Sequence, residues 1–274
     1  MDGTFDIIII GAGPAGISAA LTARARGRSV CLISNAPETS ALWRAHRIDN
    51  YPGLAGMSGA ELLGAMSVGL NERDIRSVTG RVTGVMALGG QFMASVGQDV
   101  YTARSIILAT GAAQTAAYPG ETELLGRGVS YCATCDGMLY RGKRVAVIGL
   151  SAEAEGEADF LRSIGCEVEY FDRSRAKRYE ITGVETVAAL VADGVEYPVE
   201  AVFVLRDAIA AAVLVPGLSL SENHIATDRA MRTSIPGVFA CGDCTGRPYQ
   251  IAKAVGDGNI AALSADTFLK ENPS

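Results

Sequence analysis

The sequence predicts an α/β protein with two nucleotide-binding-type parallel sheets, and a weak internal duplication is the main reason. An apolar run, Phe5–Ile10, ends in a glycine turn and leads through a helix-like stretch to a second apolar run, Val30–Ile33. The pattern recurs at Arg144–Gly149 and Val168–Phe171. Short apolar runs that alternate with helical stretches are typical of strand-helix-strand units with parallel strands.

Two further apolar runs and a closing helix complete the expected architecture. Ser105–Leu108 leads into Ala109-Thr110-Gly111, and Gly237–Ala240 leads into a second glycine turn. The stretch from Gln250 to Leu269 is rich in alanine and apolar at helical spacing, which predicts a helix.

Composition narrows the function. A length of 274 residues allows one large domain or two ordinary ones. The net charge of −6 argues against a nucleic-acid partner and an anionic membrane surface. No apolar run approaches the ~18 residues of a membrane span, and Met1-Asp2-Gly3 lacks the basic flank of a signal peptide. The expected location is the cytoplasm.

The first glycine turn has the fingerprint of a dinucleotide site, G-x-G-x-x-G between a strand and a helix. It reads Gly11-Ala12-Gly13-Pro14-Ala15-Gly16. The first glycine permits the tight turn, the second lets backbone approach a pyrophosphate, and the third lets the helix pack close to the strand. The helix N-terminus offers N–H groups and a positive dipole to phosphates.

The second strand departs from this fingerprint. It ends in Ser34-Asn35 where an acidic residue normally binds the ribose hydroxyls. Either side chain can hydrogen-bond a ribose without a charge.

The turn at Gly242-Asp243 is a second dinucleotide feature. In flavoproteins of this architecture such an aspartate binds the ribityl chain, and the following helix aims N–H groups at the flavin pyrimidine. That helix begins near Gln250-Ile251-Ala252. The sequence therefore predicts FAD as the cofactor, held also by Ala109-Thr110-Gly111.

The motif Cys132-Ala133-Thr134-Cys135-Asp136 predicts redox chemistry. A Cys-x-x-Cys pair can form a disulphide and lowers the pKa of one thiol, and Asp136 can donate or accept the proton. Two alternatives involve Cys241 and Cys244, which can complete a zinc site with the first pair or form a second redox pair.

The remaining cysteines and the histidines suggest no further chemistry. Cys31 and Cys166 lie in or beside apolar strands and are expected in the core. His46 and His224 lie in no ligand-like cluster, so we expect no metal and no Ser-His-Asp triad.

The segment Val129–Gly137 closely resembles bacterial low-molecular-weight thioredoxin reductases. The resemblance covers nearly the whole chain, including Asn50-Tyr51-Pro52-Gly53 and Thr233–Gly237. It implies two Rossmann-like (three-layer ββα) domains. An FAD domain at 1–115 and 218–274 is interrupted by a smaller central redox domain at 116–217.

The resemblance also assigns roles. It implies that Cys135 takes electrons from FAD, that Cys132 exchanges with thioredoxin, and that Asp136 is the acid or base. It further implies a homodimer, with Asn50 near the cofactor.

The central domain departs from the family at its nucleotide turn. The turn reads Gly149-Leu150-Ser151-Ala152-Glu153-Ala154, with Ser151 in place of the glycine that touches a pyrophosphate. Glu153, Glu155 and Glu157 would repel an anionic ligand at this helix N-terminus. The family's His-Arg-Arg motif is replaced by Asp172-Arg173-Ser174-Arg175, from which Asp172 can still accept a ribose or the arginines a 2′-phosphate.

A second departure lies in the first domain. The family's Gly-Gly-Gln segment near the flavin is replaced by Ala41-Leu42-Trp43-Arg44-Ala45-His46. Trp43 either covers the flavin or its adenine, or belongs to the core.

These departures together resemble the ferredoxin-dependent flavin thioredoxin reductases, which use no pyridine nucleotide. In that branch reduced ferredoxin supplies single electrons to FAD. Ferredoxin is acidic, so a basic patch is expected, with candidates Arg24, Arg26, Arg28, Arg44 and Arg47. The alternatives are an NADPH- or NADH-dependent reductase with a divergent site, a dithiol oxidase, and a non-enzymatic redox-sensing flavoprotein.

Overall fold

The chain folds into two compact units in the computed structural model. The first unit comprises residues 1–113 and 210–274, and the second comprises 114–209. The structure describes residues 4–40, 42–111, 117–151, 153–206 and 211–273, with side chains for all of these except Cys135, Ala211 and Ala212.

The described residues in the N-terminal part of the first unit form strands and helices in alternation, followed by an antiparallel hairpin and a long strand. These elements are β1 (Phe5–Ile10), α1 (Pro14–Ala25), β2 (Val30–Ser34), α2 (Gly59–Glu72), β3 (Arg76–Thr79), β4 (Val82–Leu88), β5 (Gln91–Val96) and β6 (Asp99–Leu108). Pro14 at the first helical position suits the start of α1 because its missing N–H is not needed there. Ser58 and Glu61 form a reciprocal capping box that begins α2.

The second unit carries the cysteine motif. Its elements are β7 (Val129–Ser130), α3 (Ala133–Asp136), a 3-10 turn (Gly137–Tyr140), β8 (Arg144–Gly149), α4 (Ala154–Ser163), β9 (Glu167–Phe171), β10 (Tyr179–Gly183), β11 (Val187–Ala192), β12 (Val195–Pro198) and β13 (Ala201–Leu205).

The C-terminal segment returns to the first unit. It contains α5 (Ala211–Leu214), β14 (Leu220–Ser221), β15 (His224–Ile225), β16 (Val238–Ala240), a 3-10 turn (Gly242–Thr245) and α6 (Ile251–Glu271). The sequence-based division assigns 116–217 to the central domain, whereas α5 contacts β4 and groups with the first unit.

The large sheet of the first unit places β1 at its centre. The strand order is β3-β2-β1-β6-β5-β4, and β16 pairs in parallel with the carboxyl-terminal half of β6. β1, β2, β3, β6 and β16 run parallel, which explains why the four isoleucines of β1 are all buried. At Gly258 a Cβ would lie 2.1 Å from the carbonyl oxygen of Ala15, so α6 packs directly on α1.

The second unit has its own parallel sheet, in the order β7-β13-β8-β9, and an antiparallel sheet, β10-β11-β12. The α/β architecture with two nucleotide-binding-type sheets is therefore confirmed. Within the described residues no helix is both long and apolar enough to cross a membrane.

Candidate functional site

The turns that follow the parallel strands of the first unit meet at one edge of its sheet. The N–H of Gly11 donates to the carbonyl at the end of β2 over 2.8 Å, and that of Ala109 to the end of β1 over 2.8 Å. The N–H of Cys241 donates to the end of β6 over 2.9 Å. Ligands of open α/β sheets bind at this carboxyl edge, so the sequence motifs converge where a cofactor is expected.

Steric contacts fix the roles of the three glycines in the first turn. Gly11 has a φ of +109°, and a Cβ there would lie 2.2 Å from the oxygen of Ala109. A Cβ at Gly16 would lie 1.8 Å from the oxygen of Gly11. A Cβ at Gly13 would meet no atom within 4 Å. Two glycines therefore permit close packing, and the third borders open space at the N-terminus of α1, which fits a pyrophosphate.

The turn after β16 is held by a lysine on α6. Lys253 Nζ donates to the carbonyl of Gly242 over 3.0 Å and to Thr245 Oγ1 over 3.1 Å, and it pairs with Asp257 at 2.8 Å. Asp257 also accepts the N–H of Gly242 over 3.2 Å. Burial raises the pKa of Asp243 despite the nearby Lys253. The sequence analysis missed Lys253 and Asp257, although their i,i+4 spacing on a helix was visible.

Two residues that the sequence predicts near the cofactor, although far apart in the chain, are hydrogen-bonded to each other. Asn50 Nδ2 donates to Gln250 Oε1 over 2.8 Å. Gln250 is the N-cap of α6, so Ile251 and Ala252 are the first two helical residues. A flavin ring placed at this helix start would face N–H groups that the first turn of a helix leaves without partners.

The other predicted cofactor residues lie in the same unit. Ser34 ends β2 at the carboxyl edge and Asn35 follows it. Gly111 adopts a φ of +75°, which favours glycine. The half-buried side chain of Trp43 packs against the core of this unit. A role for Trp43 at the cofactor stays a prediction.

The cysteines beside the second turn are buried thiols. Cys241 and Cys244 are both free, and Cys244 Sγ donates to the carbonyl of Cys241 over 3.2 Å. Burial raises the pKa of Cys244 to about 11 and that of Cys241 well above its ordinary value. Such thiols are poor nucleophiles, which disfavours a second redox pair. Among the described residues, no group of three or more His, Cys, Asp or Glu side chains suits a metal ion. Cys31 and Cys166 are buried, as predicted.

The redox motif lies at the start of α3 in the second unit. Cys132 is disulphide-bonded and its side chain is 6% exposed. Its sulphur lies 3.4 Å from Thr134 Oγ1. The side chain of Cys135 lies outside the described residues, so its pairing with Cys132 stays a prediction.

A buried serine links the motif to its carboxylate. Ser130 Oγ donates to Asp136 Oδ2 over 2.7 Å and accepts the N–H of Cys132 over 3.1 Å. A hydroxyl has a single proton, so this arrangement orients Asp136 relative to the first cysteine. The sequence analysis did not identify Ser130, because nothing in its spacing distinguishes it from other strand serines.

The helix after the second glycine turn holds the redox motif. Glu157, in the first turn of α4, accepts the N–H of Ala133 over 2.9 Å. A Cβ at Gly137 would lie 2.8 Å from the Leu161 side chain, so α4 also packs closely on the segment after Asp136. Glu157, which the sequence suggested only as a charge that repels an anion, therefore has a partner at the start of α3.

Side chains from the following strand and loop contact the second glycine turn. The phenol oxygen of Tyr170 lies 2.2 Å from the position that a Cβ on Gly149 would take, so this glycine is needed for close packing. Arg173 Nη2 donates to the carbonyl of Leu150 over 2.6 Å. In a dinucleotide site the second glycine of the turn lets backbone approach the pyrophosphate, and Ser151 occupies that position here.

The polar residues after β9 are likewise engaged locally. One carboxylate oxygen of Asp172 accepts the N–H groups of Ser174 and Arg175 over 2.8 and 2.9 Å. The guanidinium of Arg175 pairs with Glu169 at 2.9 Å and lies 4.2 Å from the ring centre of Phe171. Asp172 and Arg175, which the sequence allowed as partners of a ribose and a 2′-phosphate, therefore have contacts within the unit.

Some members of the expected basic patch are neutralised. Arg28 pairs with Asp266 at 2.7 Å, and Arg47 pairs with Asp49 at 2.9 Å. Arg24 Nε donates to the carbonyl of Arg73. Arg26 and Arg44 are exposed. Arg28 and Arg47 are thus poorer candidates for a docking patch than the sequence suggested, whereas Arg24 remains a candidate because a carbonyl partner does not neutralise a guanidinium.

Comparisons with known proteins agree with this geometry. The family model for pyridine nucleotide-disulphide oxidoreductases matches residues 5–203 and 176–258. A thioredoxin reductase of Treponema pallidum (strain Nichols) is 33% identical, and the match covers 98% of each chain.

Two solved structures are also similar along almost the whole chain. A ferredoxin-flavin thioredoxin reductase from Clostridium acetobutylicum is 39% identical over 98% of each chain, with a TM-score of 0.89. A thioredoxin reductase from Gloeobacter violaceus is 34% identical over 99% of this chain and 96% of that one, with a TM-score of 0.80. The chain belongs to the pyridine nucleotide-disulphide oxidoreductase family, and within it to the thioredoxin reductases.

Proposed function

We propose that this chain reduces thioredoxin with electrons from reduced ferredoxin rather than from NADPH or NADH. As a family member it carries FAD and acts on the disulphide of thioredoxin. The observation that carries the choice of donor is the second glycine turn, where Ser151 stands in place of the glycine that lets backbone contact a pyrophosphate and Arg173 is bound to the carbonyl of Leu150.

Electrostatics support the same choice. A pyrophosphate at the turn would meet the carboxylates of Glu155 and Glu157 at the start of α4, which repel an anion. Similarity to the ferredoxin-flavin enzyme of Clostridium acetobutylicum is a second, independent support.

The energetics allow this donor. A plant-type ferredoxin has a reduction potential of about −400 mV, and thioredoxin has one of about −270 mV. The difference of ~130 mV makes the transfer of two electrons favourable by ~6 kcal/mol of free energy.

The proposed cofactor contacts follow from the sheet edge. We assign the pyrophosphate to the first turn, the ribityl chain to Asp243 and the flavin pyrimidine to the start of α6. The full proposed set is Gly11, Gly13, Pro14, Ala15, Gly16, Ser34, Asn35, Trp43, Asn50, Ala109, Thr110, Gly111, Gly242, Asp243, Gln250, Ile251 and Ala252.

Each residue of the redox motif then has its own step in the reduction of thioredoxin. Bound FAD supplies the means to collect two electrons and pass them on as a pair. Once the disulphide is reduced, the thiolate of Cys132 attacks thioredoxin and Cys135 resolves the mixed disulphide. Asp136, oriented by Ser130, holds or returns the proton. Because Cys132 is only 6% exposed, the segment must become more accessible for this attack.

The donor is tested by anaerobic titration of the flavin absorbance. Reduced ferredoxin is expected to bleach the flavin and to release thiols from oxidised thioredoxin, whereas NADPH and NADH leave the spectrum unchanged. Rapid bleaching by either nucleotide, with no response to ferredoxin, would instead establish the divergent nucleotide-dependent reductase.

The homodimer that the resemblance implies is tested separately, by measuring the molar mass of the protein in the same buffer by light scattering.

Thioredoxin is expected to dock on the apolar side chains next to the dithiol. Met138 and Leu139 directly follow the motif and are 56% and 71% exposed. Changing both to serine should raise the KM for thioredoxin about tenfold, equivalent to ~1.4 kcal/mol of binding. Ferredoxin-driven flavin reduction should be unchanged. Met86 and Leu88, an exposed pair in the first unit, provide the matched control. Equal effects of the two double substitutions would exclude this docking surface.

A further inference from the structure

A buried ion pair lies next to the redox motif and has no role in the mechanism above. Glu121 is 1% exposed, and its carboxylate binds the guanidinium of Arg206 through both oxygens, with Nη2 to Oε2 at 2.8 Å. The same carboxylate accepts the N–H of Tyr118 over 2.8 Å and the phenol of Tyr131 over 2.9 Å. All these residues belong to the second unit.

The ion pair joins the two places where the chain enters and leaves this unit. Glu121 follows the crossing at 113/114, and Arg206 precedes the crossing at 209/210. Arg206 comes directly after β13, and its guanidinium lies 4.9 Å from the ring centre of Tyr118. The carboxylate of Glu121 and the ring of Tyr118 thus link the entering segment to the leaving one.

The phenol of Tyr131 connects this pair to the redox motif. Tyr131 immediately precedes Cys132, whose N–H is bound by Ser130. Burial, together with the charge and hydrogen bond of Glu121, raises the pKa of Tyr131, so the phenol keeps its proton and remains a donor. The backbone before the cysteine is therefore held from two sides.

Stability alone does not account for this arrangement. A buried ion pair repays its desolvation poorly, and an apolar pair of similar volume is often at least as stable. For Arg206, burial acts to lower the pKa, but the hydrogen bond and charge of Glu121 leave it raised, so the guanidinium keeps its charge. The carboxyl group that it binds offers a directional acceptor to a phenol, which an apolar pair cannot.

We propose that Glu121 is a positioning residue for Cys132 and acts through the phenol of Tyr131. The inference rests on the proposed reduction of thioredoxin, but not on the choice of electron donor. The carboxylate fixes Tyr131, which fixes the backbone of residues 131 and 132 and hence the approach of the thiolate to a disulphide.

Tyr131→Phe is the direct test, because it removes the link and leaves the ion pair intact. The protein is first reduced with dithionite, so that no biological donor is needed, and then mixed with oxidised thioredoxin in a single turnover. The limiting rate should fall about tenfold, since small displacements of a reacting group have effects of this size. The thioredoxin concentration at half-maximal rate should stay within about twofold, because docking is untouched.

Two controls separate positioning from general damage. Tyr179→Phe removes a buried phenol of the same unit that donates to the carbonyl of Asp172, and it should leave the rate unchanged. In a Glu121→Met/Arg206→Met background, which leaves no unpaired charge, adding Tyr131→Phe should slow the reaction no further.

The opposite results overturn the proposal. A Tyr131→Phe rate equal to wild type, or an equal slowing in both backgrounds, would show that the phenol does not act through Glu121. A small aromatic disulphide serves as a second oxidant. If wild type reacts with it and not with thioredoxin, the proposed function fails, and the positioning role is still decided by the same variants.

Discussion

Replacing Cys132 by serine is expected to abolish thioredoxin reduction while the flavin is still reduced by its donor. A serine hydroxyl does not ionise near neutral pH and forms no mixed disulphide, so the exchange step has no nucleophile. Turnover should fall by a factor of about a thousand or more. Thiol release from thioredoxin and flavin bleaching, measured in one anaerobic sample, report the two half-reactions separately.

The serine variant at Cys135 should fail in a different way. It retains the proposed attacking thiol, so a mixed disulphide with thioredoxin should accumulate and be visible by intact mass. Cys166→Ser removes a buried free thiol of the same unit and should behave like wild type. If the adduct forms with Cys132→Ser instead, the two cysteines have the reverse of the roles proposed above.

Gly16→Ala should give a chain without flavin. The added Cβ would lie 1.8 Å from the carbonyl oxygen of Gly11, and neither backbone can move without separating α1 from β1. Overpacking of a close contact commonly costs about 1–3 kcal/mol, and here it also distorts the turn that should receive the pyrophosphate. The flavin content of purified protein and its melting temperature together measure the effect.

Gly13→Ala provides the contrast for this variant. Its Cβ would meet no atom within 4 Å, and φ at Gly13 is −77°, so the apoprotein should melt at the wild-type temperature. If the open space beside Gly13 receives the pyrophosphate, the affinity for FAD should nevertheless fall about tenfold or more. Unchanged FAD affinity in this variant would place the pyrophosphate elsewhere.

The strands and turns that are encoded in short sequence motifs could be predicted. Four consecutive isoleucines before a glycine turn indicate a strand buried on both faces, and β1 lies at the centre of its sheet. The carboxyl edges of parallel strands must coincide, so the turns at Gly11, Ala109 and Gly242 were expected to meet, and they do.

The features of the site that depend on contacts between residues distant in sequence could not be predicted from the sequence. Glu121 and Arg206 are 85 residues apart, and neither belongs to a motif. Arg173 was read as a candidate ligand for a phosphate, because a sequence shows its charge and not that it binds the carbonyl of Leu150. Nor did the charge of Glu157 reveal that it binds the backbone of Ala133.

The return of the C-terminal segment to the first unit sets the order in which the two units become complete during synthesis. The second unit is complete at residue 209, whereas α6 of the first unit extends to Glu271. At ribosomal speeds of about 5–20 residues per second, α6 is finished ~3 to 12 seconds later. All residues of the dithiol unit are therefore available for folding before the flavin unit has its helix α6.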